Sequence, residues 1–204
     1  MAQNMMLYWG SGSPPCWRVI IALEEKMLQG YKHKLLSFDK NEHKCEEVKA
    51  LNPRAQSAFK SQGTRLIPDD PTEQALVYQR MFETNNLQQK MYDVAFYDYY
   101  VPEGERHESA LKRNKENLIA ELKLWDGYLE KMGKGSYLAG KNFTMADVVC
   151  FPIIALFPRL HCPPERCPRL MEYYEMLKDR PSIKANWPPH WLENPEGQDK
   201  LKNL

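Results

Sequence analysis

The sequence lacks a dominant sign of charge. Its 28 Lys and Arg residues face 27 Asp and Glu, a formal net charge of +1. No basic footprint of the kind that holds nucleic acid or an anionic membrane surface stands out, and neither partner is expected. Long apolar runs are absent too. The longest, VVCFPIIALF at 148–157, has ten residues with a proline among them, too short to span a bilayer. The opening MAQNMMLYWG carries neither the basic stretch nor the long apolar stretch of a secretory signal. Cysteine is sparse, five scattered residues, an odd number that points to a reduced, cytoplasmic protein. HCPPERC at 161–167 groups His161, Cys162 and Cys167, but three ligands with no second pair nearby fall short of a structural zinc site, so no metal is expected.

What is present divides into two parts. With 204 residues the chain has enough length for one large domain or two small ones. MLYW (6–9) is short, aromatic and apolar, as a buried strand should be. CWRVIIALEEKML follows with Val19, Ile20, Leu23 and Met27 on one helical face and charged residues between them. Pro14 and Pro15 suit a first helical turn, which places Ser13 at or beside the N-cap, next to the positive end of the helix dipole. A serine there is either a plain cap or a hydroxyl held where a bound thiolate would be stabilised. SPPC is also a C-x-x-C redox pattern with its first cysteine replaced by serine, so Cys16 alone supports no dithiol cycle within this motif. YKHKLLSF (31–38) reads as a second strand and HKCEEVKALNP (43–53) as a short helix stopped by Pro53. Strand, helix, strand predicts a right-handed crossover with parallel strands.

From residue 70 the pattern turns helical. Asp70, Pro71 and Glu73 supply a cap, a first-turn proline and an acidic third position for a helix predicted to run to about Tyr99. Leu111, Leu118, Leu122, Trp125, Leu129 and Met132 mark a second, amphipathic helix ended by GKGSYLAGKN. Thr144 and Asp147 form the N-terminal cap of a third helix so apolar that its neighbours must surround it. CPRLMEYYEMLKDRP gives a fourth, with an irregular, amphipathic tail beyond it. Tyr92, Phe96, Tyr99 and Tyr100 share one broad helical face, a stripe that serves equally as core or as an apolar ligand lining.

A small βαβ unit that opens strand–SxxC–helix and leads into an all-helical domain resembles the cytosolic glutathione transferases. GSGSPPCWRVIIALEEK is similar to the first loop and helix of the serine-type theta and zeta classes, and closer to the rho class. LAGKNFTMADVVCFPII resembles the family's capped, buried helix, and LNPRAQ the stretch that leads into its glutathione site. The resemblance implies an α/β plus all-α fold: a thioredoxin-like βαβ domain over 1–63, then a glutathione-transferase-type helical bundle over 70–204. It implies a homodimer that conjugates reduced glutathione, a co-substrate and not a cofactor, to hydrophobic electrophiles in detoxification. It places the thiolate-stabilising hydroxyl at Ser13, with Ser11 and Tyr8 as alternatives. His43, Lys44 and Gln56 would complete the glutathione contacts, Lys44 at the glycyl carboxylate. Tyr92, Phe96, Tyr99, Tyr100 and Trp187 would face the second substrate, with Trp191 helping to close that pocket.

One stretch departs from the family pattern. Between Pro53 and Pro71 lie 17 residues, where two strands, a turn and a helix need roughly 30. The family's cis-proline strand, its hairpin partner and the following helix with an acidic–serine pair have no counterpart here, so a block of about two dozen residues is expected to be missing. Such a chain keeps Ser13 but loses contacts to the far end of glutathione. The rival expectation is a non-catalytic ligand-binding protein. The N-terminal unit is expected to lean on the helical domain, to lean on a partner chain, or to be partly disordered.

Overall fold

The computed structural model describes residues 5–45 and 64–204. Strands β1 (Met6–Trp9) and β2 (Lys32–Leu35) pair in parallel, Met6 opposite Lys32 and Trp9 opposite Leu35. They are joined by helix α1 (Pro14–Glu25), the crossover that the sequence predicts. Ser13 is the N-cap of α1, with Pro14 and Pro15 in its first turn. The predicted apolar face of α1 is corrected. Val19 and Met27 are 40% and 76% exposed, while Trp17, Ile20, Ile21 and Leu23 are buried. The reason is that α1 packs on two sides. Leu23 joins Leu28, Met5, Leu7 and Tyr31 beside the sheet, whereas Trp17 and Ile21 enter the core of the helical domain. Met27 lies past the helix end, in the left-handed region at φ 52°.

After β2 only a 3₁₀ turn, Glu42–Lys44, stands where the sequence suggests a helix from residue 43, and residues 46–63 of that segment lie outside the described residues. The helical domain then opens with α2 (Pro71–Ala95). The Asp70 carboxylate caps it, accepting from the N–H groups of Thr72 and Glu73 at 2.9 Å each. The predicted extension to Tyr99 does not occur. Phe96 (φ −118°, ψ 21°) breaks the helix, and Tyr97–Tyr100 forms a separate turn, α3. Arg106 donates to the carbonyls of Val101 and Asp98, and Tyr97 Oη accepts from the His107 N–H, which tie this corner down.

Helix α4 (Glu108–Met132) buries Leu118, Leu122, Trp125 and Leu129 as its periodicity predicts. Helix α5 (Met145–Ile154) is the centre, packed by α1, α2 and α7 (Pro168–Leu177). Its apolar sequence is explained by this enclosure, since only Met145 and Val149 of its ten residues are even partly exposed. Thr144 N–H and Oγ1 donate to Asp147 Oδ2 at 2.7 and 3.0 Å, and Oδ1 accepts from Leu138 N–H and Tyr173 Oη. The fully buried Asp147 therefore satisfies its lone pairs with four donors, which is what keeps its burial tolerable.

Short turns α6 (Leu156–Arg159), α8 (Pro181–Lys184) and α9 (Pro189–Glu193) complete the described helices. The tail is not left loose. Leu201 N–H donates to Leu160 O at 2.8 Å, and Leu201 and Leu204 are buried. The N-terminal unit leans on the helical domain through α1. Trp17 meets Phe151, Trp187 and Trp191 edge-on with centroids 5.2–5.6 Å apart. At the other end of α1, Arg180 grips the buried Glu25 carboxylate through two bonds of 2.7 and 2.9 Å. Among the described residues, no helix is long and apolar enough to cross a membrane.

Candidate functional site

The loop between β1 and α1 is shaped from three directions. Gly12 has φ +72°, and a side chain there would meet the His190 ring, whose Cε1 lies 2.4 Å from an added Cβ. Gly10 is covered by Phe38, whose ring atoms lie 2.1 Å from an added Cβ. Glycine is required at both, at Gly12 for its backbone as well. Inside the loop the Gly10 N–H points at Cys16 Sγ, 3.4 Å away.

The sequence places three hydroxyls here, and their situations differ. Ser11 Oγ is 2.7 Å from Nδ1 of His190, a tail residue that no motif singles out. Burial lowers the His190 pKa, with the nearby Arg159 charge adding to it, so the ring is neutral at pH 7 and its Nδ1 accepts from Ser11 or donates to it according to tautomer. Tyr8 sits in β1 opposite Lys34, with that ammonium 5.9 Å from its ring centroid. Ser13 is half-buried at the mouth of α1, and its side chain makes no cap bond. Its carbonyl accepts from Trp17 at 2.9 Å and its N–H donates to Gly10 O. Because Pro14 and Pro15 carry no N–H, two of the donors that a helix start usually offers are gone from this mouth.

His43 comes near this loop through Phe38, packing edge-on at 5.0 Å on the ring that covers Gly10. Its Nδ1 is buried and has no hydrogen-bond partner among the described residues. Lys44 belongs to the same 3₁₀ turn, and Gln56 lies outside the described residues.

The aromatic stripe does not hold as one face, because the break at Phe96 redirects the chain. Tyr92 and Phe96 contact each other at 5.1 Å and pack against the core, whereas Tyr99 and Tyr100 are 83% and 61% exposed, paired with each other. Burial raises the Tyr92 pKa. Arg18 donates to Val149 O at 2.6 Å and Gln88 Oε1 at 3.1 Å, joining α1 to α5 and α2. Trp187 and Trp191 pack on Trp17, with Trp191 only 6% exposed. The tail tryptophans thus bind α1 to the helical domain beneath the loop. Three of the aromatics expected around an electrophile are therefore drawn into the core or its edge, and two face water.

This arrangement matches known proteins along its whole length. The chain is 56% identical to "Glutathione S-transferase A" of Pleuronectes platessa, over 226 aligned positions covering 100% of both chains. The chain belongs to the glutathione S-transferase family. The family model "Glutathione S-transferase, C-terminal domain" matches residues 85–187. A crystal structure of a glutathione S-transferase from the Antarctic clam Laternula elliptica superimposes with TM-score 0.80 at 37% identity, covering 98% of this chain and 97% of that one. A Methylobacillus flagellatus glutathione S-transferase with GSH bound shares the fold at TM-score 0.72 and 18% identity, covering 90% and 99%. In this glutathione S-transferase fold, the βαβ unit is thioredoxin-like and the helical domain follows it.

Proposed function

We propose that the protein conjugates reduced glutathione to hydrophobic electrophiles, with the Ser13 hydroxyl donating a hydrogen bond to the glutathione thiolate. The full-length similarity to a protein named a glutathione S-transferase supports the transferase activity. One observation carries the choice of residue. Ser11 already has a partner in His190, whereas the Ser13 hydroxyl stands at the positive end of α1 without a cap bond. A thiolate bound there is favoured over the thiol by the donor and by the dipole, and attacks the electrophilic carbon as the leaving group departs. His43 Nδ1, buried without a partner among the described residues, is the second polar group that a bound peptide would satisfy. Lys44 and Gln56 are read as further glutathione contacts, and Tyr92 and Phe96 as the wall toward the electrophile.

The finer reading is a rho-class, cytoplasmic homodimer, built of units over 1–63 and 70–204, whose N-terminal unit lacks part of the usual sheet. The first loop and helix, GSGSPPCWRVIIALEEK, support the class. The alignment with the plaice protein spans 226 positions against 204 residues here, so at least 22 positions have no counterpart in this chain, which supports a missing block.

The test is conjugation of glutathione to a chlorodinitrobenzene by the native chain, Ser13→Ala and Ser11→Ala, with glutathione binding followed by calorimetry. Losing a charge-assisted bond of about 1.5–3 kcal/mol lowers kcat/KM of Ser13→Ala by roughly 10- to 100-fold at pH 7. Ser11→Ala stays within about threefold, as expected for a hydroxyl turned to another partner. A Ser13→Ala variant at full rate refutes the assignment. A native chain that takes up no glutathione refutes the activity.

A further inference from the structure

The short turn α9 brings the tail back over the loop between β1 and α1, and His190 is the residue that lands on it. Its ring runs from Ser11 across Gly12, with Nδ1 2.7 Å from Ser11 Oγ and Nε2 3.1 Å from the position of a Cβ built on Gly12. Ser13 is the next residue in the chain. Trp191 Nε1 reaches the same point, at 3.3 Å. The imidazole is half-buried. Among the described residues its Nε2 meets no hydrogen-bond partner, and water reaches it, unlike the enclosed Nδ1 of His43.

The bonds at Ser11 bear on which ring nitrogen carries the proton. Ser11 Oγ also accepts from the His190 main-chain N–H, a long bond of 3.5 Å, and its own hydroxyl proton completes the pair by going to Nδ1. A neutral imidazole has one N–H, which is then on Nε2, the free nitrogen at the loop. The charged neighbours are Arg159 and Glu193. Burial lowers the ring's pKa, Arg159 adds to that, and Glu193 opposes them less, so the ring stays neutral. Arg159 lies over the Trp191 ring, 5.4 Å from its centroid, and among the described residues it has no carboxylate partner. The tail thus brings a fixed N–H and a standing positive charge to the loop that carries Ser13.

We propose, on the reading that seats the glutathione thiolate at the mouth of α1, that His190 is a further catalytic residue: its Nε2–H donates a hydrogen bond to the sulfur beside the Ser13 hydroxyl, and Arg159 adds positive potential. A bond to the ionised sulfur stabilises the thiolate and not the thiol, so it raises the fraction ionised at neutral pH. The thiol proton leaves to water, and the ring keeps its own. Ser11 turns the ring and does not touch the sulfur, in line with the small effect expected of Ser11→Ala.

The experiment compares the full native chain with His190→Gln and His190→Asn. The glutamine amide nitrogen takes the place of Nε2, whereas the asparagine amide takes that of Nδ1 and keeps only the contact with Ser11. The ultraviolet absorbance of the bound thiolate, titrated with pH, gives the pKa of the glutathione thiol on each protein. His190→Asn is expected to raise it by about one pH unit and to lower kcat/KM near neutral pH roughly tenfold, with the rate recovering at higher pH. His190→Gln stays within about threefold of the native rate. A merely structural loss slows the reaction at every pH and leaves the thiol pKa where it was. The native chain supplies an arm free of substitution. With isotope-labelled histidine, the His190 Nε2 resonance shifts on adding glutathione and stays nearly in place with S-methylglutathione, which has no thiol to ionise. An unmoved thiol pKa in His190→Asn overturns the inference, as does a His190→Gln as impaired as His190→Asn, or equal resonance shifts with both peptides. Ser13→Ala slowed with His190→Asn unchanged overturns this inference alone. Both variants at full rate overturn the reading beneath it.

Discussion

Replacing Arg180 with methionine removes the hold of the helical domain on the C-terminal end of α1. The Glu25 side chain is 5% exposed and that of Arg180 24%. Arg180 supplies two of the bonds to Glu25, and Ser182 another. Methionine keeps an unbranched chain but strips the charge, and with it the cation–π contact of the guanidinium over the Phe143 ring at 3.8 Å. Removing one partner of a buried pair costs about 3–5 kcal/mol, and the water that reaches Arg180 argues for the lower end, about 3 kcal/mol. For a chain of this size that is a Tm lower by about 6–12 °C at pH 7.

The pH dependence gives the reasoning a second handle. In the native chain burial raises the Glu25 pKa, but the bonds from Arg180, Ser182 and Thr64, with the charge of Arg180, outweigh it and leave the group below its ordinary value. Its contribution to stability is therefore present above the ordinary glutamate pKa and fades as pH falls through the lowered folded value. In Arg180→Met the hydrogen bonds and the charge of Arg180 are gone and burial dominates, so the carboxyl titrates above its ordinary value. The variant's penalty is then greatest at neutral pH and shrinks on acidification, as the stranded carboxylate takes up a proton. Thermal melts of both proteins from pH 7 down to about 4 measure this. A gap under about 2 °C at pH 7 refutes the reasoning, as does a gap that stays constant on acidification.

Asp147→Ala leaves the N–H groups of Thr144 and Leu138 and the Tyr173 hydroxyl without their acceptor. A loss of about 3–5 kcal/mol, seen as a collapse in soluble yield or in the denaturant midpoint, is expected for a broken buried network. Gly12→Ala pairs an unfavourable left-handed backbone with a collision against the His190 ring. It should cost at least about 1–2 kcal/mol and speed proteolysis of the tail beyond residue 188, whereas Gly104→Ala, with nothing within 4 Å of the added carbon, should do neither.

Much of this molecule was legible in one dimension because the governing interactions are local. Proline in a first turn, Asp70 and Thr144–Asp147 as caps, and seven-residue recurrence of Leu and Trp in α4 act over a few residues, and each element appears where those signals stand. The family is carried by the same kind of contiguous stretch, the strand–loop–helix around Ser13 and the buried α5. Ser13 as the N-cap follows from Pro14 and Pro15 alone. Even the crossover to a parallel β2 follows from element order and handedness.

Tertiary structure decided what depends on residues far apart. Val19 and Met27 look buried by spacing, yet α1 is clamped between sheet and bundle and so turns Trp17 and Ile21 inward on a second side. The stripe at 92, 96, 99 and 100 presumes an unbroken helix, and the corner held by Tyr97 and Arg106 breaks it. The partner of Ser11 is 179 residues away at His190, and that of Glu25 is 155 away at Arg180. No local propensity encodes such pairs, because they exist only after the tail has folded back over α1. That closure sets His190 against the Ser11 hydroxyl and ties both ends of α1 to the helical domain.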